Sequence, residues 1–303
     1  IMVFALLTPS NVEVYAIERK VEPDEAQPLP AADVEIGKVT FYEITEEEIR
    51  EIQKEVREAA TLGRGAATGK LGERLAIGAK KYAVVVGTDC CDNLLGAPIR
   101  GAKAFYKALN SVFGYEAQNI HLLLEEEATF NAVYRAIQDV KSKAKLGDEV
   151  VFYFSGHGCH GTAQDGDDEL IDEGICCYDH NIWDGQMKQW FSDFPTCRIV
   201  FIFDCCYAGG MTDLEADGRI VVMGTREDKA GYAVLVLPSG TSHLLFSLHF
   251  VINGILAANA DRYDHDGDGN YARYDPFAPI DPWYGGEGDD VAIEEAFDYA
   301  KRM

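Results

Sequence analysis

Basic residues are scarce in this chain: 27 Lys and Arg stand against 51 Asp and Glu, a formal net charge of -24 at pH 7. Such a surface repels phosphate backbones, which argues against nucleic acid as a partner and favours cations, either calcium or basic peptide segments. Beyond the N-terminus no run approaches the ~20 apolar residues that a membrane-spanning helix requires. Cysteine is present at eight positions, yet no two stand in Cys-x-x-Cys spacing. Adjacent pairs dominate instead: Cys90-Cys91, Cys176-Cys177 and Cys205-Cys206. Neither a zinc ribbon nor a small disulfide scaffold has that pattern, and a redox or metal role for the pairs is weak without the spacing.

What is present suffices for a packed core. The 303 residues are 47% hydrophobic and 26% charged, enough for one large domain or two small ones. Ile1 to Leu7 form a short apolar run, and Val14-Tyr15-Ala16 ends on a small residue. Residues 1–16 therefore read as the remnant of a signal peptide, which predicts export to the extracellular space or cell surface; a short N-terminal strand is the alternative. Residues 17–79 read as an N-terminal segment or propeptide. It is Pro-containing at first, then carries a helix capped by Thr45 with Glu48, then a Gly-rich basic stretch with Arg64, Lys70 and Arg74.

From Lys80 to about residue 258 strands and helices alternate. KYAVVVG (81–87) is an apolar run bounded by Gly, as a buried strand should be. Helical spacing follows at 99–114, a strand at 119–124, a helix at 127–143, and strands at 148–156, 197–204, 219–224 and 231–237. HLLFSLHFVINGILAA (243–258) reads as a long apolar helix. This alternation predicts an α/β fold with a mostly parallel sheet and helices on both faces. Ligands of such sheets sit beyond the carboxyl ends of the strands.

The chemistry-bearing residues fall there. One strand ends Phe154-Ser155-Gly156-His157-Gly158, the next Phe203-Asp204-Cys205-Cys206-Tyr207-Ala208-Gly209-Gly210. Two neighbouring parallel strands would deliver an imidazole and a thiol to one edge, with glycines freeing backbone amides to hold an oxyanion. Of the seven His, only His157 is framed by Gly at a strand terminus. His121 lies in a strand, and His243 and His249 on the apolar helix. A lone His or buried Cys is usually structural; their joint placement argues for catalysis. Residue chemistry alone does not choose between Cys205 and Cys206.

These motifs resemble the caspase-like cysteine peptidases, most closely the metacaspase branch and its prokaryotic relatives; the legumain branch is similar around Cys-x-x-Gly. The resemblance runs from about Lys80 to Gly254 and includes RIVVMGTREDKAGYA (219–233). It implies a three-layer α/β sandwich with a six-stranded, mostly parallel sheet flanked by helices. It implies Cys206 as nucleophile, His157 as proton carrier, and an oxyanion hole from the N–H groups of Gly158 and Cys206. It further implies cleavage of a peptide or protein substrate with no organic cofactor. Asp204 matches an acid that lines the pocket for Arg or Lys in metacaspases. The second pocket acid is missing, since Arg100-Gly101-Ala102 stands in its place; Asp89 or Asp92, after the first strand, could substitute. Specificity for Asn, as in legumain, is the alternative.

The acidic C-terminal extension, 259–303, contains DHDGDGNYARYD (264–275). Asp264, Asp266, Asp268 and Asp275 occupy EF-hand positions one, three, five and twelve, although Glu usually fills the last; Glu295 could close the loop instead. Calcium is therefore an expected ligand. The resemblance adds a second calcium set, Asp172, Asp184 and Asp213, with Gly185 where a paired acid would stand. A non-catalytic caspase-like module that binds partners through calcium is the competing reading from another class.

Overall fold

The structure is a computed structural model that describes residues 2–8, 11–17, 68–70, 75–90, 94–162, 171–236, 241–257, 260 and 290–303. The helix expected after Thr45 lies outside them. At the centre is a five-stranded, all-parallel sheet. Its spatial order is Arg219–Met223, Ile199–Asp204, Glu149–Ser155, Lys81–Gly87, Ile120–Leu124. The chain runs outward from Lys81–Gly87 to the Ile120–Leu124 edge, then returns to the other side. A switch point therefore opens between Lys81–Gly87 and Glu149–Ser155, where such folds place ligands.

Both faces of the sheet are covered, which explains why its strands read as continuous apolar runs. Side chains alternate across a strand. Val85, Val151, Tyr153 and Ile202 meet Phe105 and Leu109 of the helix Ala97–Ser111, together with Phe250 and Tyr299. Val84, Val86, Phe152, Phe201 and Phe203 face the other way, onto Val133 and Ile137 of the helix Phe130–Lys143 and Phe191 of the helix Asp184–Phe191. Thr129 caps the Phe130–Lys143 helix, its side chain accepting from the N–H of Ala132. A small antiparallel sheet, Gly158–Gly161, Asp172–Cys176 and Asn181–Trp183, extends from the strand carrying His157.

Two sequence expectations shift. The sixth strand, Ala233–Val236, joins a separate four-stranded sheet with Thr241–Leu244, Met2–Thr8 and Asn11–Ile17. The preceding loop is tied back, with Tyr207 N–H donating to Lys229 O at 2.8 Å, so the next strand starts beyond the central sheet's edge. The run read as a leader is accordingly extended here. The expected helix 243–258 is instead the strand Thr241–Leu244, a helical turn Leu245–Ser247 and a π-helix Leu248–Leu256. His243 therefore pairs with Val234 in a ladder: tertiary strand pairing overrides a helical pattern.

Ile202 is fully buried in the second strand from the edge. Ile202→Ala is expected to cost about 2–5 kcal/mol, read as a lower urea midpoint at unchanged slope. A loss below ~1 kcal/mol would contradict the packed three-layer core.

Candidate active site

Backbone register brings three strand ends together. Ser155 pairs with Gly87 on one side and Asp204 on the other. The pairing continues one step further: Thr88 N–H donates to Ser155 O at 3.1 Å, and Gly156 N–H to Asp204 O at 3.2 Å. Asp89, His157 and Cys206 thus leave adjacent strands at the same edge. His157 O accepts from Cys176 N–H at 2.9 Å, anchoring the His157 turn to the small sheet.

The His157 and Cys206 segments touch through their backbones. A Cβ on Gly158 would stand 1.9 Å from Cys206 O and 3.1 Å from Cys206 N. Only glycine permits that approach. Both N–H groups expected at an oxyanion belong to these touching segments.

The Cys206 turn is braced by the loop after Arg219–Met223. Thr225 Oγ1 donates to Cys205 O at 2.9 Å and accepts from Ala208 N–H at 3.0 Å. Gly231 N–H points at Cys206 Sγ, 3.2 Å away. Tyr207 adopts φ 58°, left-handed and strained for a residue with a Cβ, and stacks on His160 at 4.3 Å. The two adjacent thiols differ. Cys205 is buried, which pushes its thiol well up and keeps it protonated, whereas Cys206 is partly exposed.

His157 is one-fifth exposed; the Asp89 side chain is nearly sealed, with Oδ1 3.5 Å from His157 Nε2. Of the two acids offered for a substrate pocket, Asp89 faces the imidazole, and Asp92 lies outside the described residues.

Asp204 lies at the wall of a cavity of about 860 Å³, beside Met223, Gly231, Phe246, His249 and Phe297. Its carboxyl is buried, and Oδ2 accepts from Ser247 N–H at 3.0 Å and from Ser247 Oγ. Burial pushes it up to about 7 despite those hydrogen bonds. Ser247 was missed in the sequence, although a single hydroxyl in an apolar run must find a buried partner. Thr225 carried no signal; it is an ordinary loop residue by sequence.

Asp172 and Asp184 are buried, but Asp213 Oδ2 accepts from Lys188 Nζ at 2.8 Å. Among the described residues no three His, Cys, Asp or Glu side chains form a metal-binding group. Asp264, Asp266, Asp268 and Asp275 lie outside the described residues, and Glu295 sits half-buried on the helix Ile293–Arg302.

Residues 81–215 match the family model "Metacaspase, peptidase C14 domain". Metacaspase-4 of Arabidopsis thaliana is 32% identical over 146 residues, 44% of this chain and 34% of that protein. Metacaspase-6 of the same plant is 32% identical over 110 residues, 33% of this chain and 30% of that protein. Metacaspase-1 of the yeast Meyerozyma guilliermondii is 29% identical over 150 residues, 45% and 37% of the two chains. The chain spans about a third of the length of these curated relatives.

Two outcomes follow from the geometry. Gly158→Ala is expected to destabilise by about 1–3 kcal/mol, read as a lower urea midpoint, because the new methyl meets backbone rather than a flexible side chain. For Asp204, a folded value near 7 against 3.8 for the free group means that the native state binds the extra proton between those values. Its contribution is therefore present at low pH and lost as pH rises through 7. Asp204→Asn should remove that loss, so its urea midpoint should gain on wild type at pH 8 and not at pH 4.

Proposed function

We propose that the domain is a cysteine endopeptidase working through His157 and Cys206. The observation that carries this is the backbone contact of Gly158 with Cys206 at the strand ends, beside a cavity large enough for a substrate side chain. Cys206 Sγ attacks the peptide carbonyl. His157 takes the thiol proton and passes it to the leaving amine. Water then hydrolyses the thioester, and the N–H groups of Gly158 and Cys206 hold the developing oxyanion.

Asp204 on the cavity wall supports a preference for Arg or Lys. One observation favours the Asn alternative: a carboxyl titrating near 7 and already bonded to Ser247 is a weaker partner for a cation. The proposal also includes calcium dependence through the 264–275 loop, self-cleavage among the basic residues Arg64, Lys70 and Arg74, and an exported location. These three parts rest on sequence.

Fluorogenic peptides ending in Arg, Lys, Asn or Asp, with and without calcium, test the reading. Thiol-dependent cleavage of the Arg and Lys peptides is expected, and Cys206→Ala should lower it by at least ~10³-fold. Cleavage of none of the four by the full chain would sink the enzyme reading, and preference for Asn would move it to the alternative.

A further inference from the structure

The switch point of the sheet lies between the strands that end at Gly87 and Ser155, and the chain places one acid and one imidazole across it: Asp89 and His157. We propose that Asp89 is a charged positioning residue for His157, so that Cys206, His157 and Asp89 act as a triad holding a thiolate–imidazolium pair at rest. This rests on His157 and Cys206 being the working pair.

Several observations converge. The Asp89 side chain is 2% exposed, and its Oδ1 lies 3.5 Å from His157 Nε2. That nitrogen is buried and has no hydrogen-bond partner among the described residues, so the Asp89 oxygen is positioned to become its acceptor after a small movement. The carboxylate is held still by backbone amides: Leu94 N–H donates to Oδ2 at 3.0 Å and Gly96 N–H to Oδ2 at 3.1 Å. Burial alone would push the Asp89 carboxyl up, yet His157 and the amides of Gly96 and Leu94 hold it below the usual carboxylate value.

The other groups nearby do not replace His157. Arg100 senses the Asp89 charge, but its guanidinium donates to the carbonyls of Ser242 and Leu95. Cys90 follows on the same loop, and Cys176 meets His157 through its backbone N–H. A buried carboxylate without a close cation is costly, and an imidazolium at 3.5 Å relieves that cost. In the resting step the Cys206 S–H bond breaks, its proton binds the imidazole, and Asp89 stays ionised throughout. Asn at position 89 would still accept the two amides, so the charge is separable from the scaffold.

Alkylation of Cys206 by iodoacetamide reads the thiolate whether or not any peptide is cleaved; the rate is assigned by its loss in Cys206→Ala. The ratio of rates at pH 6 and pH 9 is the readout. Wild type should stay reactive at pH 6, and Asp89→Asn should lower the ratio by at least ~10-fold. In a His157→Gln background the same substitution should change nothing further. A ratio in Asp89→Asn within ~2-fold of wild type would overturn the proposal. A ratio unmoved by His157→Gln would instead sink the pair itself. Should Asp89→Asn fail to fold, the wild type decides by NMR: a strongly downfield imidazole N–H proton, absent in His157→Gln, is expected, and its absence overturns the triad.

Discussion

The register of Glu149–Ser155 against its two neighbours controls where everything else in the site can go. Ser155 is level with Gly87 and with Asp204, so the residues that follow all three strands emerge side by side. Parallel pairing makes this unavoidable: every strand ends at the same edge, and every turn there faces the same solvent crevice. A slip of one residue would turn the core faces of these strands inside out. Because both faces are buried by aromatic and aliphatic side chains, the register, and with it the meeting of the His157 and Cys206 turns, is enforced by the whole core.

Two buried acids at that edge have opposite environments. Asp89 has an imidazole and two backbone amides around it and is held low. Asp204 has only Ser247 and is pushed up to about 7. Desolvation raises both; at Asp89 it is outweighed by the hydrogen bond and charge of His157 and by the amides of Gly96 and Leu94, whereas at Asp204 the hydrogen bonds from Ser247 do not outweigh it. Asp89 is thus suited to sit ionised beside the imidazole, whereas Asp204 changes charge near neutrality at the wall of the cavity. One strand-end crevice holds a fixed charge and a variable one.

Much of this was legible in the sequence because it depends on local pattern. The apolar runs marked the central strands within a residue or two, and Gly on both sides of His157 marked a close backbone approach. What escaped was set by distant partners. The Ala233–Val236 strand has the right pattern for the central sheet, but the hold of Lys229 on Tyr207 takes it elsewhere. HLLFSLHF has a helical pattern, but its start pairs as a strand. Asp89 looked like a pocket acid from its place after a strand; only the fold reveals that its carboxylate faces the imidazole. The choice between Cys205 and Cys206, open from residue chemistry alone, acquires a physical basis in burial.

The small sheet beyond His157 raises a different question of charge. Asp172, Glu173 and Asp184 are all buried there, and burial of like charges is unfavourable unless something positive is near. Glu173 packs onto Gly210, where a Cβ would lie 2.1 Å from its carboxylate, so the acidic strand presses directly on the segment that follows the Cys206 turn. Lys188 lies one helical turn beyond Asp184 and reaches Asp213 of that same segment. A lysine on one element and an acid on the other tie the two together. The position of the Cys206 turn is therefore supported from both sides: by the Thr225–Gly231 loop through the Thr225 hydroxyl, the Lys229 carbonyl and the Gly231 amide, and by the helix beside the small sheet through the Lys188–Asp213 pair.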